Sequence, residues 1–293
     1  MRILFITANR LGDAILSTGL LDHLIRAYPG ARITVACGPV AAGVFTRMPN
    51  LARLIELEKQ PFGRHWPPLW ASVVRRRWDL VVDIRGSALS FLVRARRRAI
   101  MRPSSGPKIL QLARVLNLAV PPMPFAWFAP EDMEAVAPLF PPSQPIIALA
   151  PTANWAPKIW PAERFADLFH TLRATHMPNA VPAVIAGPGE SEAAMAQTLL
   201  DALPEAIDLR GRLSLPQIAA FLSRAGLFIG NDSGLMHLAA AAGAPTLGLF
   251  GPTNAEEYAP SGRRAAALTS PDRRMEGISV ASAASAAARL IQP

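Results

Sequence analysis

LFIGNDSGLMHLAAAAGAPTLGLFGPT, from Leu227 to Thr253, is the stretch from which the fold can be read. Its first four residues form an apolar run of strand length, and Thr246–Phe250 forms another. Between them the polar tetrad Asn231-Asp232-Ser233-Gly234 turns the chain. Leu235–Ala242 then reads as a helix of small residues that Gly243 can stop. Strand, tight turn, helix and strand in succession make one unit of a parallel α/β sheet. The free N–H groups and the dipole at the helix start favour an anion, and Gly234 permits close backbone approach. Asp232 or Ser233 would equally serve as a simple N-cap, so spacing alone leaves both uses open.

The same alternation recurs on either side. In the second half, strands are expected at Ile146–Ala150, Val181–Ala186, Ala206–Leu209, Leu227–Gly230 and Thr246–Phe250. Helices are expected near 161–175, 190–203, 214–225 and 234–242, with a closing helix at Ser279–Ile291. In the first half, strands are expected at Arg2–Ala8, Ile33–Cys37, Leu54–Leu57, Leu80–Ile84 and Ala99–Arg102, with a helix near Asp13–Tyr28 that Pro29-Gly30 ends. Eight prolines between Pro121 and Pro145 disfavour regular structure and mark a boundary. The expectation is an α/β chain of two Rossmann-like domains, residues 1–142 and 143–293, facing each other across a cleft. In such sheets ligands settle at the carboxyl ends of the strands, so the chemistry should sit on the loops that follow them.

Composition narrows the classes. Half the chain is apolar and 17% is charged, a globular balance rather than a disordered one. The net charge is +9, carried by arginine far more than lysine and concentrated at Arg75-Arg76-Arg77 and at Arg94, Arg96, Arg97 and Arg98. Codon bias explains such a balance, as does a preference for anionic partners. No aromatic residues interleave with the runs to stack bases, so a phosphorylated glycolipid or an anionic leaflet fits better than nucleic acid. Cys37 stands alone, which excludes a disulfide framework and a cysteine metal site. Asn231, Asp232, Ser233 and His237 interrupt the greasy stretch from Ala225 to Pro252, which therefore does not read as a membrane span. The short opening run Ile3–Ala8 does not read as a signal peptide.

Three further segments carry candidate chemistry. Pro151-Thr152-Ala153-Asn154-Trp155-Ala156-Pro157-Lys158-Ile159-Trp160-Pro161 follows a strand, and Lys158 is one of three lysines in the chain. A compact ammonium at that place suits a diphosphate, although a solvated loop lysine has the same appearance. Asn9-Arg10-Leu11-Gly12-Asp13 follows the first strand. Asp13 could take a proton from an acceptor hydroxyl or simply cap the helix. Gly187-Pro188-Gly189-Glu190 opens a helix but lacks the third glycine of a dinucleotide fingerprint. Glu190 there suits either a ribose hydroxyl or the helix N-terminus. The histidines have no metal-ligand spacing and no Asp-x-Asp pair is present, so neither cofactor nor metal is expected.

Taken together, these segments resemble the ADP-heptose:lipopolysaccharide heptosyltransferases, glycosyltransferase family 9. RLGDAILSTGLL (10–21) is similar to the family's opening glycine-aspartate loop, and KIWPAERFADL (158–168) to its lysine-tryptophan-proline segment. GRLSLPQIAAFLSRAGLFIGNDSGLMHLAAAAGAPTLGLFGPTN (211–254) is similar to its nucleotide-domain signature almost throughout. The resemblance implies a GT-B fold and an inverting transfer of a sugar, usually heptose from ADP-heptose, onto a lipopolysaccharide core or related glycolipid. It implies Asp13 as the base and Lys158 as the neutraliser of the leaving diphosphate. Asp232, Ser233 and Gly234 would form the phosphate- and sugar-binding turn, with His237 on the helix behind it. Thr152 and Glu190 are looser correspondences, to phosphate and ribose. The implied partners are a nucleotide-sugar donor and an anionic glycolipid acceptor, in the cytoplasm, with peripheral contact at the inner membrane as an extension. The chain is shorter than typical members and has Ser17-Thr18-Gly19 where the family often carries a proline. A catalytically inactive nucleotide-sugar-binding protein on the same fold is the competing reading.

Overall fold

The computed structural model describes residues 1–291. Gln292 and Pro293, which belong to the second expected domain, lie outside the described residues. The chain divides into two compact units, Met1–Trp127 and Phe128–Pro293.

The first unit contains β1 (Arg2–Ile6), α1 (Leu11–Ala27), β2 (Arg32–Cys37), α2 (Pro39–Ala42), β3 (Leu51–Glu56), α3 (Trp66–Val73), β4 (Arg77–Asp83), β5 (Arg94–Ile100) and α4 (Lys108–Val115). Its sheet has the order β3-β2-β1-β4-β5, with every pairing parallel. Successive strands run outward from β1 on one side, and the chain then returns to place β4 on the other. The loops after β1 and β4 therefore flank the point where strand order reverses. One core cluster joins Leu4, Ile6 and Val81 of the sheet to Leu69 and Val73 of α3. On α1, Ile15, Leu16, Leu20, Leu21 and Leu24 are buried. Each such side chain withdrawn from water contributes about 1.5–3 kcal/mol before the entropy of ordering is charged against it.

The second unit contains α5 (Pro130–Val136), β6 (Ile146–Ala150), α6 (Ala162–Thr175), β7 (Val181–Val184), α7 (Glu190–Ala202), β8 (Ile207–Asp208), α8 (Leu215–Ser223), β9 (Leu227–Asn231), α9 (Gly234–Ala241), β10 (Thr246–Phe250), α10 (Ala255–Tyr258), β11 (Ala265–Thr269) and α11 (Val280–Ile291). Its parallel sheet has the order β11-β10-β9-β6-β7-β8. Strand order reverses between β6 and β9, with Ala150 opposite Gly230. β6, β9 and β10 are buried along their whole length, as continuous apolar runs covered on both faces must be.

Several expectations are corrected. The division falls after Trp127 rather than after Pro142, because residues 128–142 pack onto the second unit. The Phe140 ring lies 4.9 Å from Phe221 of α8, and Arg224 stacks 4.3 Å from the centre of the Phe140 ring. The arginine run is a strand: β5 covers Arg94–Ile100, not Ala99–Arg102. As the edge of its sheet, β5 needs no apolar alternation, so the pattern that announces a buried strand is missing. β11 is also unannounced, since Ala265-Ala266-Ala267 has little strand propensity and is held by pairing with β10. Helices α3, α4 and α5 were not expected either, prolines and charges having masked them. Among the described residues, no helix is long and apolar enough to cross a membrane.

Candidate functional site

The loops after β6 and β9 flank the strand-order reversal of the second unit, and the signature residues converge there. The first loop is tied down by its own sequence. Trp160 is fully buried, its indole Nε1 donates to the Ile278 carbonyl at 3.0 Å, and its ring packs edge-on against Phe165. Asn231, at the end of β9, fastens the two loops together. Its Oδ1 accepts from the Trp160 N–H at 3.1 Å, and its Nδ2 donates to the Pro151 carbonyl at 2.8 Å. Asn231 is fully buried, and no reading of the sequence had given it a role beyond the turn.

With both loops fixed, Lys158 Nζ donates to Asp232 Oδ2 at 2.7 Å. The lysine side chain is 19% exposed and the aspartate 10%. Of the two readings of Asp232, capping is not the one adopted. Ser233 is the N-cap residue by backbone geometry, and no side-chain cap bond forms at the start of α9. Ser233 Oγ, His237 Nδ1 and Thr253 Oγ1 are buried without a protein partner around the carboxyl ends of β9 and β10. Buried polar atoms normally find partners, so a group of them beside a free helix N-terminus fits a polar ligand. Burial pushes the His237 imidazole down to about 4, with Asp232 opposing and Lys158 reinforcing the shift. The ring is therefore neutral near pH 7.

The third loop, after β7, joins the same cluster through a residue that sequence reasoning passed over. Glu190 opens α7 and is exposed. It is Glu192, two residues further along, whose Oε2 accepts from Thr152 Oγ1 at 2.9 Å and from the Gly187 N–H at 2.6 Å. Gly189 sits at φ +113°, a conformation that L side chains rarely adopt, and so lets α7 begin close behind the strand. A recess of about 360 Å3 lies beside this cluster, lined by Ala153, Trp155, Ile159, Ser191, Glu192 and Met195. Two acidic residues share the segment, and only the packing of α7 decides which one turns inward.

In the first unit, the loops after β1 and β4 meet in the same way. Asp13 is the third residue of α1, and the N-cap position is held by Arg10. The capping use considered for Asp13 is thus not adopted, and its charge lies where the helix dipole favours it. Arg85 donates to Asn9 Oδ1 at 3.2 Å and stacks 4.8 Å from the centre of the Trp66 ring. Burial draws the Arg85 guanidinium below its ordinary value, against the pull of Asp83. Asp83, fully buried, accepts from the Arg85 N–H at 2.9 Å, from Ser87 and from Ser90 Oγ, and so shapes the loop. In the sequence Asp83 lies within the expected strand Leu80–Ile84, and Arg85 just after it carries no signal of its own.

In the second parallel sheet, an ammonium, a helix N-terminus and orphaned polar groups gather at the strand-order reversal, a setting that suits a polar or anionic ligand. The family model of glycosyltransferase family 9 (heptosyltransferase) matches residues 108–278, and the chain belongs to that family and is a glycosyltransferase. Among its relatives, lipooligosaccharide heptosyltransferase 2 of Haemophilus influenzae is 24% identical over 89% of this chain and 86% of its own. A family 9 glycosyl transferase from Veillonella parvula superposes with TM-score 0.84 at 21% identity, covering 99% of this chain and 97% of the other. The ADP-heptose lipopolysaccharide heptosyltransferase II of E. coli gives TM-score 0.80 at 19% identity, covering 99% and 98%. The fold is GT-B.

Proposed function

We propose that this glycosyltransferase moves heptose from ADP-heptose onto the lipopolysaccharide core, or onto a related anionic glycolipid, with inversion at the sugar carbon. The observation that carries this reading is the Lys158–Asp232 pair at the start of α9. As the glycosidic bond breaks, negative charge accumulates on the departing diphosphate. Lys158 and the free N–H groups of α9 stabilise that charge where it develops, and they are already in place before reaction. The Ser233 hydroxyl binds phosphate oxygens and Gly234 allows them to come near the backbone, while Asp232 accepts from sugar hydroxyls. Thr152, whose hydroxyl hydrogen goes to Glu192, reaches phosphate only by giving up that bond. His237, neutral, contributes a hydrogen bond and no charge. Glu192 rather than Glu190 lies beside the recess that would take the nucleoside, so the ribose contact is assigned to Glu192. Asp13 of the first unit takes the proton from the acceptor hydroxyl as it attacks.

The positive charge at the diphosphate comes from Lys158 and the helix, and the proposed transfer uses neither metal nor cofactor. The names of the relatives support a lipopolysaccharide acceptor, and the arginine-rich first unit supports an anionic one, met at the inner face of the cytoplasmic membrane. No observation favours an inactive protein. The test is a thermal-shift panel of nucleotides and nucleotide sugars, followed by a transfer assay on a truncated lipopolysaccharide with and without a chelator. ADP and ADP-heptose should raise the melting temperature, and chelation should leave turnover unchanged. Stabilisation by uridine nucleotides alone would overturn the donor, and loss of turnover on chelation would overturn metal independence.

A further inference from the structure

At one end of the first unit, well-exposed apolar side chains stand beside a field of arginines. Phe91 is 68% exposed, Leu92 63% and Trp70 41%. They are neighbours: Trp70 Nε1 donates to the Leu92 carbonyl at 3.1 Å, which fixes α3 against the segment leading into β5. That segment then enters β5 through Arg94, and α3 leads through Arg75 and Arg76 into β4 at Arg77. All four arginines, and Arg96 beyond them, are exposed.

The arginines are arranged against their own repulsion. Arg77 and Arg94 face each other directly across β4 and β5, and Arg2 faces Arg32 across β1 and β2. Like charges opposite one another in a sheet are destabilising. The nearby carboxylate is Asp79, 3.8 Å from Arg96 and bonded to the Arg2 N–H. Arg76 also lines a recess of about 260 Å3 with Arg2 and Arg32. Charges on an edge strand discourage pairing with another sheet, which would account for the β5 arginines alone. It does not account for Phe91 and Leu92, which an edge protected from association would not display.

We infer that this corner is a membrane-docking surface: Phe91, Leu92 and Trp70 enter the interface of an anionic bilayer while Arg75, Arg76, Arg77, Arg94 and Arg96 engage its headgroups. Apolar wedges rimmed by cations bind membranes in this way, the apolar area and the electrostatic attraction adding. The inference rests on the proposed glycolipid acceptor only for its biological sense. Its test needs neither donor nor acceptor, so each reading can fail without the other.

The experiment is co-sedimentation of the full chain with phosphatidylcholine vesicles, with and without phosphatidylglycerol. Phe91→Ser/Leu92→Ser and Arg94→Gln/Arg96→Gln proteins are compared with the original. These side chains are exposed, so the variants should fold, and circular dichroism checks that they do. The original chain should bind the anionic vesicles and lose binding as salt rises. The arginine variant should bind about 25-fold more weakly, about fivefold for each charge removed. The serine variant should bind at least tenfold more weakly. Equal binding by all three proteins overturns the assignment. So does binding to single-stranded RNA without binding to vesicles, or a dimer in sedimentation velocity that the serine variant abolishes.

Discussion

Lys158 and Asp232, 74 positions apart in the chain, form an ion pair of 2.7 Å at the reversal of strand order in the second sheet. The lysine comes from the loop after β6 and the aspartate from the loop after β9, and Asn231 fastens those loops to each other. A charge poised in this way is compensated in the free protein and sits beside the N-terminus of α9, where the proposed donor diphosphate would lie.

Removing one member should therefore cost stability as well as activity. Lys158→Ala leaves a largely buried carboxylate without its partner and should destabilise the chain by about 1–3 kcal/mol. Adding Asp232→Asn should restore much of the stability but none of the transfer. Thermal denaturation and turnover of the single and double variants check this. A double variant no more stable than Lys158→Ala would show that the pair does not hold the loops.

Asp13 should separate chemistry from binding. Asp13→Ala is expected to lower kcat by about 10²–10⁴-fold, the usual contribution of a positioned base. Affinity for ADP, measured by calorimetry, should be unchanged. Near-original turnover would remove Asp13 from the mechanism.

Burial of His237 makes stability depend on pH. The unfolded chain takes up the proton near 6.5, while the native ring resists it until about 4. The unfolded state thus binds more protons in that window, and stability present above pH 6.5 is lost as pH falls through it. The loss should be on the order of 3 kcal/mol, seen as a falling urea midpoint. His237→Leu should flatten this dependence; an unchanged slope would place its origin elsewhere.

Gly19 is required by a close approach rather than by its torsion angles. A Cβ there would meet the Pro122 carbonyl oxygen at 2.3 Å. Next to it, Thr18 Oγ1 accepts from the Phe125 N–H at 2.8 Å. Gly19→Ala should lower stability by about 1–3 kcal/mol through overpacking. An unaltered denaturation midpoint would mean that the 122–125 segment moves aside freely. Thr18 and Gly19 thus form a seat for the proline-rich segment.

Cys37 should be chemically silent. Burial, with a smaller contribution from Glu56, pushes its thiol up to about 12. The thiolate is the reactive form, so a disulfide reagent at pH 8 should label the denatured chain and spare the native one. Rapid native labelling would contradict the buried position.

The sequence by itself determined the parallel α/β character, the strands of the second sheet from β6 to β10, and the turn from Asn231 to Gly234. Each of these is a local pattern: buried parallel strands must be apolar throughout, and a strand-to-helix turn needs small and polar residues. It also offered Lys158 and Asp13 as candidates from their residue types and places, while Thr152 and His237 entered as candidates only through the family resemblance. Tertiary structure alone decided what depends on packing between distant segments. It turned Glu192 inward rather than Glu190, made Asn231 the fastener of two loops, and brought Arg85 beside Asn9. It also made Arg94–Ile100 an edge strand and assigned residues 128–142 to the second unit through Phe140. Period and composition report how a residue sits on its own element; which neighbour it meets is set by contacts far away in the chain.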